Sequence, residues 1–281
     1  MARWDKIVSI GDVDDRRGLG SASMFAGSGA IVAILITLGL NFLGINIPQS
    51  TVEDVITTVA SLDSGTVSKA DQPTEFRGED SYEVFAQKVV GSTDDVWTNL
   101  FSSNGLSYER PQLVLFRGAT GSGCGTATSE IGPHYCPSDS KIYLDETFFD
   151  KLQANYGAST GDVAQAYVIA HEVGHHVQNQ LGVFRFSDTS SQSTLIEVEL
   201  QADCYACIWA HAQSMNDIFE PNEIGEALDA AAAVGDDSIQ RSSGYAINPE
   251  TWTHGSSTER VGAFNIGLQT GDPSRCTNLQ S

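Results

Sequence analysis

Residues 162–182 read DVAQAYVIAHEVGHHVQNQLG, and the histidines at 171 and 175 decide how the rest of the chain is read. The apolar residues Val163, Ala166, Tyr167, Ala170, Gly174, Val177 and Leu181 recur at helical spacing, which predicts a helix over 163–181 with one buried face. Positions four apart lie on one face of a helix, so His171 and His175 can aim two imidazoles at a single ion. Glu172 is rotated from His171 by about 100°, beside such an ion but outside its ligand set, where a carboxylate can act as a base. Asp162 and Gln165 stand at the spacing of a capping box, and Gly182 is placed to end the helix in a left-handed turn. Gly174 weakens the helix interior, which implies close approach of another backbone or of the ligand site.

An ion that activates water keeps three protein ligands and one open position, so a third ligand is needed. Glu197, Glu199, Asp203 and His211 all lie on a second apolar run at 193–215, which predicts another buried helix. Glu197 and Glu199 diverge by roughly 200° around a helix, so only one of them can face the ion. Glu199 and Asp203 share a face. We assign Glu199 to the ion and Asp203 to the remaining N–H of a ligating histidine, the outer partner that metal-bound imidazoles require.

Four stretches, AYVIAHEVGHHVQN at 166–179, ELQADCYA at 199–206, GPHYCPSDSKIYL at 132–144 and THGSSTER at 253–260, resemble the bacterial neutral zinc metallopeptidase family. That family is similar to gluzincin peptidases in pairing His-Glu-x-x-His with Glu-x-x-x-Asp. The resemblance covers roughly residues 76–276 and a membrane helix before them. It implies one Zn2+ held by His171, His175 and Glu199, with Glu172 as general base and Asp203 orienting a histidine. It also implies a zincin-like fold, in which residues 125–129 offer a strand edge to a peptide. His134 and Cys207 depart from the family pattern, away from the proposed ligands.

Zinc in such a ligand set acidifies its water towards a pKa of about 7. Glu172 takes the proton as water attacks a peptide carbonyl and returns it to the leaving amine. The developing oxyanion needs a further donor; His254 is the candidate, just ahead of a helix start at Ser256 and Glu259, with Tyr245 and Tyr205 behind it. His176 and His211 read as structural.

Residues 18–52 carry no charge, and 24–47 are apolar enough for the ~20 residues that a bilayer core demands. Arg3, Lys6, Arg16 and Arg17 precede this span and no Lys or Arg follows until Lys69. The expectation is a single-pass cell-membrane protein: a cytoplasmic tail at 1–23, a transmembrane helix at 24–47, an extracytoplasmic linker at 48–75 and the peptidase domain at 76–281 outside. The five cysteines then suggest two disulfides, Cys124 with Cys136 across a Gly-rich loop and Cys204 with Cys276, leaving Cys207 free. The formal charge of −21 argues against nucleic acid as a partner.

Helix starts at Asp80-x-x-Glu83 and near Pro221, short β-rich runs at 112–117 and 141–144, and a last helix at 257–268 complete the pattern. It predicts an α+β domain, mainly helical with a small sheet. The function expected is hydrolysis of a peptide or protein substrate by a zinc metallopeptidase; the alternative is a non-catalytic scaffold or binding protein stabilised by zinc.

Overall fold

A computed structural model describes residues 2–18, 80–186, 191–220, 222–277 and 279. Its elements in chain order are β1 (Asp12–Asp15), α1 (Ser81–Ser103), β2 (Gln112–Leu115), β3 (Ala119–Ser122), β4 (Gly125–Thr128), β5 (His134–Cys136), β6 (Lys141–Leu144), α2 (Phe148–Tyr156), α3 (Asp162–Gln180), α4 (Val183–Phe186), α5 (Gln192–Met215), α6 (Ile224–Ala233), α7 (Asp236–Ser242) and α8 (Ser257–Thr270). The class is α+β, as expected.

Helices α3 and α5 form the centre of the core, covered by α1, α6 and α8. They approach closely because Gly174 has no side chain. A Cβ there would lie 2.9 Å from the carbonyl oxygen of Ala202 on α5, a distance that atoms in a packed interior do not tolerate. The four-stranded sheet has the order β1-β2-β6-β5, with β1, β2 and β6 parallel and β5 antiparallel at one edge. Its central strands, Leu113 to Leu115 and Ile142 to Leu144, are almost wholly buried, which is why they read as unbroken apolar runs. The Gly-rich loop is a separate hairpin of β3 and β4, tied to β5 by Cys124 and Cys136 at bonding distance. Cys204 and Cys276 are likewise paired, and Cys207 is buried and free.

The N-terminal residues overturn the expected membrane topology. Strand β1 pairs in register with β2, Asp12 opposite Gln112 and Asp15 opposite Leu115. Ahead of it, the Trp4 indole N–H donates to Asp162 at 2.7 Å, Arg3 bonds Glu220 at 2.7 Å, and the Lys88 ammonium donates to the Trp4 carbonyl at 2.8 Å. Gly91 on α1 lets residues 9 and 10 lie against the helix, where a Cβ would meet the Ser9 backbone at 2.6 Å. Met1–Arg16 and Gly78–Ser281 therefore form one compact unit, and the separate domain expected at 76–281 gains the tail as an integral strand.

One crossing of a bilayer at 24–47 would place β1 and its hydrogen-bonded neighbour β2 on opposite sides of the membrane, which strands 4.7–4.9 Å apart cannot occupy. No helix among the described residues is long and apolar enough to cross a membrane. The span at 24–47 and the linker at 48–75 lie outside the described residues. The single-pass cell-membrane location, with a cytoplasmic tail and an external domain, is withdrawn.

Asp162 explains a second difference. The N-cap of α3 is Gly161, with no side-chain cap bond. Asp162 does not close a capping box with Gln165, because its carboxylate accepts instead from Trp4 and from the backbone N–H of Ala2. The other predicted boundaries stand closer. Gly182 is left-handed at φ 79°, Asp80 caps α1, and Ser256 and Glu259 form a complete capping box for α8. The helix expected from 221 to 234 is α6, residues 224–233, and α7 at 236–242 follows it without having been predicted.

Candidate metal centre

Helix α3 carries His171, Glu172 and His175 along the wall of a cleft of about 720 Å³. Helix α5 opens with Ser191, whose side-chain oxygen accepts from the Thr194 N–H, and presents Glu199 and Asp203 one turn apart to the same place. Glu199 Oε2 lies 3.3 Å from His171 Nε2, and Glu199 Oε1 lies 3.4 Å from His175 Nε2. One ligand atom from each of the three residues lies within 4.8 Å of the others, so the set can hold a single metal ion. Glu197 is exposed, in agreement with only one of the two neighbouring glutamates facing inward. Glu172, 6 % exposed, lines the cleft beside His171.

Each imidazole is held by its other nitrogen. His171 Nδ1 is 2.8 Å from Asp203 Oδ1, the partner expected from spacing. Asp203, fully buried, also accepts from the Tyr167 hydroxyl and from two nitrogens of Arg260 at 2.8 and 2.7 Å. His175 Nδ1 is 2.8 Å from Gln178 Oε1; the Gln178 amide then donates to the Val198 carbonyl at 2.7 Å and to Gln201 at 3.0 Å, and Gln201 donates to the Cys276 carbonyl at 2.9 Å. With both Nδ1 atoms engaged, both Nε2 atoms are left for an ion, the arrangement that fixes a ligating tautomer.

Electrostatics follow these contacts. Burial pulls the His171 pKa down, but hydrogen bonds to Asp203 and Glu199 outweigh it and raise the ring to about 10 in the absence of metal. His175 moves up as well, burial being overcome by Glu199. Glu199 lies well below the usual carboxylate range, because the two imidazoles more than offset its burial. Arg260 and His171 do the same for buried Asp203. An acidic carboxylate with two imidazoles is a donor set that suits a divalent cation of zinc's character.

His254 also lines the cleft. The carboxylate of Asp236 accepts from the backbone N–H groups of Thr253, His254 and Gly255 at 2.8, 2.7 and 3.0 Å and lies 3.2 Å from His254 Nδ1, which fastens this loop to the start of α7. Tyr205 is buried against Trp97, and Tyr245 is exposed; neither lines the cleft. His176 bridges the Tyr135 hydroxyl and the Glu109 carbonyl, and His211 bonds the Leu268 carbonyl, both structural roles as read from sequence. The strand bordering the cleft is β5 with the residues before it, not residues 125–129, which belong to the β3–β4 hairpin and are absent from the lining. Arg260, Gln178 and Asp236 escaped the sequence reading. Gln178 had a local signal, standing one turn after His175, whereas Arg260 and Asp236 are brought to the site only by the packing of α8 and α7.

The sequence family described as "Putative neutral zinc metallopeptidase" matches residues 2–279, and the chain belongs to it. Among its relatives, the uncharacterized protein YpfJ of Escherichia coli (strain K12) is 35% identical over 293 residues, covering 99% of this chain and 98% of that protein. The uncharacterized protein Rv2575 of Mycobacterium tuberculosis (strain ATCC 25618 / H37Rv) is 46% identical over 220 residues, covering 73% of this chain and 74% of that protein. No solved structure matches. Family membership implies zinc as the cofactor, and the His171, His175 and Glu199 cluster fits it.

Proposed function

We propose that the chain is a zinc-dependent peptidase of zincin-like architecture. The observation that carries this reading is the convergence of His171 Nε2, His175 Nε2 and the Glu199 carboxylate beside Glu172 on a cleft wall. His171, His175 and Glu199 would hold the ion. Zinc, when bound, supplies a Lewis acid that polarises a carbonyl and acidifies water. Glu172 takes the proton of the attacking water and passes it to the leaving amine. His254, its Nδ1 held against Asp236, offers Nε2 to the developing oxyanion. An extended peptide lies along β5, whose outer edge has no strand neighbour among the described residues, and adds itself to the sheet through main-chain hydrogen bonds.

The competing reading is a scaffold stabilised by zinc. Structural zinc sites are closed by four protein ligands, whereas the cluster has three among the described residues and faces a cleft; this favours hydrolysis. Zinc content and peptide cleavage of the purified protein test it. Wild type should bind one zinc and cleave. Glu172→Gln should keep the zinc and lose about 10²–10⁴-fold in rate, and Glu199→Ala should lose the metal. Bound zinc without cleavage by wild type would support the scaffold instead.

A further inference from the structure

The walls of the cleft say more than its catalytic floor. At one end stand Phe148, Leu152 and Tyr156 of α2, Val234 at the end of α6 and Ile239 of α7, all lining the cleft. Leu152 packs with Ala158 and Ala233 in a small apolar cluster onto which Phe148, Tyr156 and Val234 fold, and Ala158 lies just ahead of the start of α3. Val168, which also lines the cleft, is one turn before His171 and Glu172 on the same helix face, so this apolar wall runs up to the proposed base. At the other end, past His175, stand Phe184, Leu195 and Val198, with the Phe184 ring 6.4 Å from the His175 ring. Apolar walls thus flank the reacting groups along the axis of α3.

The charges are equally selective. Arg260 is the single Lys or Arg among the described lining residues. It is 4 % exposed, and its guanidinium is committed to Asp203. Among the described lining residues no Lys or Arg is left to receive the carboxylate of a chain end, which a carboxypeptidase needs to bind by charge-assisted hydrogen bonds. With Glu199 spent on the ion, Glu130 and Glu172 remain on the walls, and they would repel acidic side chains.

From these walls we infer that the cleft takes internal peptide bonds with a large apolar or aromatic side chain immediately beside the scissile bond, seated against α2, Val234 and Ile239. This rests on the peptidase reading and adds to it a substrate class and a mode of action: an endopeptidase for apolar stretches of extended chain. A folded protein buries such stretches, so unfolded or exposed segments are the natural source.

The test uses the zinc-loaded full chain and a library of peptides blocked at both ends, with products identified by mass spectrometry. Cleavage of blocked peptides, with Phe, Tyr, Leu or Ile enriched roughly 10- to 100-fold at one position next to the cut, is the expected result. Ile239→Lys should lower kcat/KM for Phe-flanked peptides by about tenfold or more and raise Glu-flanked peptides relative to them. A second readout needs no turnover. The Glu172→Gln protein should bind a blocked Phe-containing peptide at least about tenfold more tightly than its Ser counterpart. Cleavage without apolar enrichment, a requirement for a free C-terminus, or equal binding of the Phe and Ser peptides overturns this inference and leaves the peptidase standing. A zinc-loaded protein that cleaves nothing overturns both.

Discussion

His171 and His175 sit one turn apart on the same helix and face the same carboxylate, yet their outer nitrogens are held in opposite ways. His171 leans on a buried charge. Asp203 receives it together with Arg260 and Tyr167, so an anion, a cation and a phenol are packed without solvent. His175 leans on the neutral amide of Gln178, which hands its own hydrogen bonds to the backbone of α5 and, through Gln201, to the segment carrying Cys276. One imidazole is oriented by electrostatics, the other by a chain of dipoles. A buried ion pair is costly to break but contributes little net stability when whole, whereas amide hydrogen bonds are worth less each and fail more gently. The two sides of the proposed site should therefore respond differently to damage.

The sharpest way to break the contrast is Asp203→Ala. It leaves the Arg260 guanidinium buried without its anion and should cost about 3–5 kcal/mol of unfolding free energy, measured by denaturant titration of the zinc-loaded protein. Zinc affinity, read by competition with a chelator, should fall 10–100-fold. Gln178→Ala attacks the other side. Losing this fully buried amide should cost about 1–3 kcal/mol, with a smaller loss of zinc affinity than Asp203→Ala; equal losses would erase the distinction drawn here.

The mildest probe is pH. In the metal-free protein the folded His171 pKa stands at about 10, above its ordinary 6.5, so the folded state holds the proton more tightly than the unfolded chain. Its contribution is fully present below pH 6.5 and is lost as pH rises towards 10, with a slope of at most about 1.4 kcal/mol per pH unit. Thermal unfolding of metal-free protein should therefore fall over that range, and zinc should abolish the trend. Replacing Asp203 with Asn should flatten it, whereas Gln178→Ala should leave it.

The parts of this arrangement that the sequence displayed were those set by local periodicity. That His171, His175, Glu199 and Asp203 meet follows from which residues share a helix face, and α3 and α5 begin and end within a residue or so of the spacing prediction. The errors arose where a distant segment competes for a local group. Asp162 looks like a capping residue until Trp4 and Ala2 claim its carboxylate. The first 16 residues look like a tail because nothing near them in sequence completes strand β1; its partner is β2, a hundred positions away. Hydropathy and flanking charge at 24–47 then put a bilayer between the tail and the domain, since those rules know nothing of strand pairing. Arg260 was visible as a residue but not as a partner, because only the packing of α8 on α5 brings it to Asp203.

That first strand has a consequence for how the molecule comes into being. Residues 12–15 leave the ribosome early, but the edge they must join does not exist until residues 112–115 have been made. Closing so large a loop carries an entropic penalty before any contact rewards it, so strand β1 waits for the sheet rather than seeding it. Until it docks, the face of α1 at Gly91 stands uncovered, and Asp162, made later still, lacks its indole and amide donors. A chain clipped of its opening residues would lose the outer strand of its main sheet and an anchor at the head of the helix that bears the histidines.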